Sequence, residues 1–474
     1  MFTTALLLTL AWGALSFGAV YPWAYQPLLA ALTVLGLWGL FGPAESRPRA
    51  NGTLAIGLAL LVAAVVLQLV PLSRQTLLAL SPAADTFLRR YDIAYATLLA
   101  SGRAVAHPLS IEPAQTRLGL MLLLGLGVFL LGLTRTLDGF KLRRLLPGLI
   151  ILGVVLAMIG IIQKPLFTGK IYGFWTPRAG PVLYTPGGGP FGPFVNRNHF
   201  AGWMLMALPL AFGYFAGMVA RGTHGAKPGW RERMVSFSSR DANEAILVGF
   251  AIVVMALSLV MTLSRSGFTC FMTAIAISGL AVARHQAGRS RRAFALIYLA
   301  LVAILSVSWV GLDAITARFQ AVTGQDDFRF RLNAWRDALR IYHAFIKTGT
   351  GLNTYGVATM FYQTFQTETV HFAEAHNDYL QYLAEGGLLL VIPTLVLIGL
   401  FIREVRRRFR EGLDDSTGYW LRLGAVTGLV AISLQEIVEF SLQMPGNAAL
   451  FTLLCGIAVR KASRSRPNQA RKGA

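Results

Sequence analysis

Cysteine, charge and acidic residues are all scarce in this chain. Its two cysteines, Cys270 and Cys455, both fall inside apolar runs, where the side chain behaves as a small hydrophobe. No disulfide framework or thiolate metal site is implied. Charged residues make up 14% of the sequence against 55% hydrophobic, which points away from an ordinary soluble domain. No heptad repeat or internal inverted repeat appears, and low complexity is confined to the basic tail at 461–474. The start, Met1-Phe2-Thr3-Thr4, lacks the basic n-region of a cleavable signal, so the first apolar run reads as a retained helix.

What the chain does have is long apolar runs. Mean hydropathy is +0.56, and several runs reach the roughly 18–20 residues needed to cross a bilayer. Twelve spans are expected: 3–20, 27–42, 53–71, 118–134, 146–163, 198–219, 243–262, 266–283, 293–311, 380–402, 419–439 and 446–460. The net charge of +21 would suggest nucleic acid in a soluble protein. Here 26 of the 43 basic residues lie in alternate short loops and the tail. By the positive-inside rule those segments and both termini face the cytoplasm, so topology accounts for the charge and no nucleic acid is implied. The expected fold is an all-α integral membrane protein, a single polytopic domain over 1–474 in the lipid bilayer.

Three outer segments follow. The first, 72–117, carries an amphipathic stretch from Phe87 to Leu99, expected to lie along the membrane surface. The second, 164–197, is rich in glycine and proline and reads as loop. The third, 312–379, is the large periplasmic loop. In it Leu332, Trp335, Leu339, Tyr342 and Ile346 recur at helical spacing, predicting a helix over 330–346 that buries this stripe. Lys347 to Gly351 should end that helix.

Chemistry-bearing residues gather on the outer side. Asn377 suits an N-cap and Asp378 a first helical turn, so His376 stands at the mouth of a helix running on through Leu388 to Ile402. The positive end of the macrodipole there disfavours imidazolium and leaves a ring able to take a proton. The plain alternative is a surface histidine hydrogen-bonded at a helix start. Arg265 sits in a tight outer hairpin where positive-inside bias opposes it. Arg197 and His199 mark the outer start of the sixth span; Arg197 also suits an interfacial anchor. Arg329, Arg331 and Arg336 lie on the outer helix, where a solvated face is the alternative. Guanidinium forks at a membrane boundary suit a diphosphate, and a nearby histidine base suits transfer onto a hydroxyl. Glu436 and Glu439, placed within the eleventh span, read as partners for an arginine or for proton movement, structuring the bundle from its outer end. Glu374, Asp378 and Asp326-Asp327 form no converging metal set. His371 is a secondary candidate to His376.

Six stretches resemble the O-antigen ligase and polymerase superfamily. They are Ala375 to Gly387, Asn196 to Gly202, Ser264-Arg265-Ser266-Gly267, Arg331 to Trp335 leading to Thr350-Gly351-Leu352, Phe17 to Trp23, and Leu109 to Pro113. The resemblance implies a multi-pass bacterial inner-membrane glycosyltransferase of about twelve helices with its active site on the periplasmic face. It would take a glycan from an undecaprenyl-diphosphate carrier to an acceptor hydroxyl on a glycolipid such as lipid A-core, or on a glycan. Arg265 and Arg331 would hold the diphosphate, with Arg197 beside them. His376 would be the base, and Asn377, Asp378 and Trp335 would support it. No metal, nucleotide or other cofactor is implied. A polymerase differs only in its acceptor, which these residues do not specify, and oligomeric state is not legible. A secondary transporter is the rival from another class, disfavoured by the missing inverted repeat.

Overall fold

In hydrocarbon every backbone N–H and C=O must be paired within its own segment, so long apolar runs become helices. The structure, a computed structural model, describes residues 1–42, 50–177, 189–222, 240–285, 325–364, 371–411 and 416–461. Eight helices among them are long and apolar enough to cross a membrane. These are α2 (Pro22–Phe41), α3 (Gly52–Leu69), α7 (Pro113–Thr136), α8 (Gly139–Gln163), α9 (Arg197–Gly222), α10 (Arg240–Met261), α14 (Asp378–Glu411) and α15 (Ser416–Gln435). Two shorter apolar helices, α1 (Phe2–Leu15) and α16 (Pro445–Ala458), fall where the first and last spans were expected. α11 (Arg265–His285) occupies the eighth. The expected ninth span, 293–311, lies outside the described residues.

α9 is the most buried span and α14 the least, so α9 is the hub and α14 lies at the rim. The main core runs through α1, α2, α8, α9, α10, α15 and α16. Small residues permit close helix approach: a Cβ on Gly36 would fall 2.6 Å from the Val128 carbonyl, and one on Gly39 would fall 2.6 Å from that of Gly132.

A second core lies outside that bundle. It joins α4 (Arg74–Leu80), α5 (Pro82–Tyr91), α6 (Ile93–Ala100), α12 (Gln325–Ala344) and α13 (Tyr355–Tyr362). A two-residue antiparallel pair, Leu72–Ser73 with Ala106–His107, closes the first of these segments. Phe87, Leu88 and Tyr95 belong to the same buried cluster as Ile341 and Phe345 of the α12 region. Part of the amphipathic stretch is thus taken up by protein, while Tyr91, Ile93 and Leu98 stay exposed at 37%, 84% and 39%. The stripe on α12 is also rotated from expectation. Ala334, Ala338, Ile341 and Phe345 are buried, whereas Leu339 and Ile346 are each 40% exposed. Two alanines let α12 approach closely, and the buried Asp337 on the same face accepts hydrogen bonds from the Thr364 hydroxyl at 2.7 Å and its N–H. Hydrophobicity alone does not anticipate a helix seated on alanines and an aspartate.

α14 does not run straight on from His376. Its helix is interrupted at Gly387, with φ 52° and ψ −160°. The segment after α12 fills the break. The Leu388 and Leu389 N–H groups donate to the Ile346 and Lys347 carbonyls at 2.8 and 3.0 Å, and Thr350 and Gly351 donate to Ala384 and Glu385 at 3.1 and 3.0 Å. Gln68 of α3 locks the seam: its Nε2 donates to Thr348 and Glu385 carbonyls, and its Oε1 accepts from the Leu352 N–H. These backbone groups released by the break thus find partners, as burial demands. A Cβ on Gly387 would lie 2.4 Å from the Gly349 nitrogen, and one on Gly349 would lie 2.0 Å from the Glu385 carbonyl. Gly387→Ala should cost more than about 1–2 kcal/mol, the left-handed penalty alone, visible as a lowered unfolding midpoint in detergent.

Candidate functional site

Four chain segments converge at one end of the bundle. The first turn of α9 supplies Arg197, Asn198 and His199; α12 supplies Arg331 and Trp335; the turn before α14 supplies His376; and the segment after α15 supplies Glu436, Glu439 and Phe440. α15 ends at Gln435, so Glu436 and Glu439 stand just beyond the helix, not within the span as expected.

Glu439 is the tie. It is 1% exposed, and its Oε1 accepts from Arg331 Nη2 and from Asn198 Nδ2, each at 2.7 Å. Arg331 Nη1 donates to the neighbouring Val438 carbonyl at 2.5 Å. The anticipated arginine partner for an acid is thus present, and it joins α12 to α9 across the end of α15. Gln435 Nε2 and Asn447 Nδ2 donate to the Asn198 and His199 carbonyls, both at 3.0 Å, and fix the first turn of α9 to α15 and α16.

His376 is reached from two sides. Its carbonyl accepts from Trp335 Nε1 at 3.4 Å. Its ring meets the Phe440 ring edge-on at 4.9 Å, and His199 meets the same ring edge-on at 4.7 Å. The backbone of His376 has φ 50°, uncommon for a residue other than glycine, and such strained turns gather at functional sites. The turn is braced from below. Asn377 Oδ1 caps the helix by accepting from the Leu380 N–H at 3.0 Å, as its sequence position suggests. Asp378 lies in the first helical turn, its N–H donating to the Glu436 carbonyl at 3.0 Å and its Oδ1 accepting from Gln443 Nε2 at 2.6 Å. Burial, then the nearby Asp378, lifts the Glu374 carboxyl to about 7.

Arg265 is the first residue of α11, behind a tight turn in which Leu263 has φ 53°. Ser264 caps this helix through its Oγ, which accepts from the Gly267 N–H at 3.1 Å. Gly267 packs on α9, where its Cβ would fall 2.7 Å from the Ala201 side chain. Arg265 and His376 therefore belong to the same end of the bundle, linked through the first turns of α9. Lys164, which the sequence reading passed over, joins this end: its Nζ donates to the Met261 carbonyl at 2.6 Å, just before the Arg265 turn. Burial, then Arg197, lowers its pKa.

A further arginine separates from the cluster. Arg336 is exposed and, among the described residues, its side chain bonds Asn333 of its own helix, while the Arg329 side chain lies outside the described residues. His371 is exposed and bonded to the Gly356 carbonyl at 2.8 Å. No group of His, Cys, Asp and Glu among the described residues has the arrangement of a metal site. Sequence reasoning gave no role to His199, Phe440, Gln443 or Lys164. A histidine two residues from Arg197 was the available signal for the first, and the others carried none.

The 331–439 pair makes a separable prediction. Arg331→Ala leaves a buried carboxylate without its cation, which costs about 3–5 kcal/mol. Thermal unfolding of the purified variant should drop accordingly, whatever happens to activity.

No curated protein matches the chain. Residues 250–395 match the family described as O-antigen ligase, a stretch that contains Arg265, Arg331, Trp335 and His376. That match supports the O-antigen ligase superfamily for this chain, as its motifs indicate.

Proposed function

We propose that this protein transfers a glycan from an undecaprenyl-diphosphate carrier to an acceptor hydroxyl, with inversion and without a metal, on the periplasmic face of the bacterial inner membrane. One observation carries the reading: the His376 turn, the Arg331–Glu439 pair and the first turn of α9 share one end of a membrane bundle. The family match supports glycan transfer of the ligase or polymerase type.

In this mechanism the prenyl tail stays in lipid while the diphosphate rests at the boundary against Arg265 and Arg197. Arg331 adds the N–H donors not spent on Glu439 and Val438, since a guanidinium has five. The acceptor hydroxyl approaches His376 from the aqueous side. The imidazole takes the hydroxyl proton as the oxygen attacks the anomeric carbon, and the bond to the diphosphate breaks on the opposite face. The departing charge is offset by the arginines, so the leaving group needs no separate acid. Trp335 holds the His376 carbonyl and Asn377 caps the helix that follows, so the turn carrying the ring is fixed before the reaction.

The test is transfer from a lipid-linked glycan donor to a lipid A-core acceptor by the full protein in liposomes. His376→Ala should lose about 10²–10⁴-fold in turnover, the usual contribution of a general base. Arg265→Ala should raise the donor requirement, and Arg265→Lys should restore it only in part because the fork is lost. Unchanged transfer by His376→Ala would remove the base from this scheme.

A further inference from the structure

Glu436 takes no part in the scheme above, yet it is 1% exposed beside the His376 turn. Neither of its carboxylate oxygens closes a hydrogen bond of ordinary geometry among the described residues, although the Leu442 N–H is turned toward them. The Asp378 carboxyl lies within hydrogen-bonding reach. Among the described residues neither acid makes an ion pair, because the Arg331 Nη2 is committed to Glu439. Two facing carboxylates have only acceptors between them. With Glu436 buried and Asp378 half-buried, like charges in such proximity disfavour ionisation of both. One proton between the two groups supplies the missing donor and removes half the charge.

We propose that Glu436 is a positioning residue for His376, and that it acts by sharing a single proton with Asp378. The reasoning rests on the transferase reading for its consequence, though not for the proton itself. Asp378 lies two residues after His376, and its N–H already donates to the Glu436 carbonyl. The shared proton adds a side-chain link to that backbone link and clamps the strained turn to the end of α15. Beyond it a polar chain runs from Asp378 through Gln443 and Gln381 to Glu385, so the brace continues along α14 toward the break at Gly387.

The same proton governs charge at the base. Facing the pair are Glu374 from the preceding turn, Tyr379 of α14 and Glu439 beyond α15; Arg331 of α12 and His199 of α9 stand behind Glu439. Acids outnumber cations among these groups. Full ionisation of the pair would add a further negative charge beside the imidazole, hold a proton on it and stop it acting as a base. Burial, with Asp378 second, holds the Glu436 carboxyl well above the ordinary carboxylate range. A raised acid keeps its proton up to its folded-state value and loses it above that. The clamp therefore persists above the ordinary carboxylate range and is released as pH rises through the pair's own raised value.

The experiment compares Glu436→Gln, Glu436→Ala and Glu436→Asp in the full protein in liposomes. Infrared difference spectra at neutral pH, wild type minus Glu436→Gln, should show the C=O stretch of a protonated carboxylic acid, and this band should disappear as pH is raised. In the transfer assay Glu436→Ala should lower kcat with little change in donor KM. Glu436→Gln, which keeps a donor toward Asp378, should restore most of that loss and flatten the alkaline fall of the pH profile. Glu436→Asp, one methylene short, should not restore it. A missing infrared band overturns the shared proton, and a Gln variant as poor as Ala overturns the positioning role. The infrared measurement needs no glycan substrate, so its result stands apart from whether the transferase reading itself holds.

Discussion

The buried carboxylate of Glu439 is the constraint on which the site depends. A charge with 1% exposure is tolerated only with a close partner and further hydrogen bonds. Glu439 obtains both by drawing Arg331 from α12 and Asn198 from α9 onto a single oxygen. The second core, built on loops that could otherwise float over the bundle, is thereby fastened to the central helix α9. Trp335 sits four residues along α12 from Arg331, one helical turn on, and so reaches the His376 carbonyl. One ion pair thus sets the position of the proposed base relative to the start of α9.

A second constraint acts from the other direction. The break in α14 at Gly387 divides it into a short outer piece carrying Asp378 to Gly386 and a long apolar piece exposed at the rim. Only glycine fits, because both φ and the approach of the Gly349 backbone forbid a side chain. The inserted segment after α12 therefore anchors both ends of the outer layer. α12 is held at Arg331 by Glu439 and beyond Phe345 by α14 and Gln68. The His376 turn is suspended between these two fastenings, which explains how it holds φ 50° without glycine.

Local signals in the sequence proved legible where their physics is local. The cap at Asn377 depends on residues within one turn and is found where its side-chain type places it. Spans depend on runs of apolar residues, and the described helices follow them. What was not legible depends on distant partners. The end of α15 at Gln435 is decided by Glu439 meeting Arg331, 108 residues away in the chain, and a hydropathy window cannot register that. The rotated stripe on α12 reflects Asp337 meeting Thr364. The sequence reading ran the helix straight through Gly386-Gly387, since a pair of glycines in an apolar run is compatible with close helix packing. The segment that fills the break lies some 40 residues earlier. The roles of Arg265, Arg331 and His376 rest on motif resemblance and on their convergence, and the aromatic contact shared by His376 and His199 had no sequence signal.

The distribution of charge gives the proposed chemistry an order of events. Cations begin α9 and α11, while Asp378, Glu436 and Glu439 gather beyond α15 and at the start of α14. His376 stands two residues before Asp378, at the edge of the acidic group. A lipid diphosphate arriving at the arginines brings further negative charge to the same region, and an anion near an imidazole strengthens it as a base. In low-dielectric surroundings such an effect is larger than in water. On this account donor binding itself raises the basicity of His376, and the acceptor proton is drawn off only when a glycan is in place to be transferred. In the proposed scheme an unliganded site that was already strongly basic would sit protonated and catalyse nothing, and a proton shared between Glu436 and Asp378 would keep the acidic cluster below full charge.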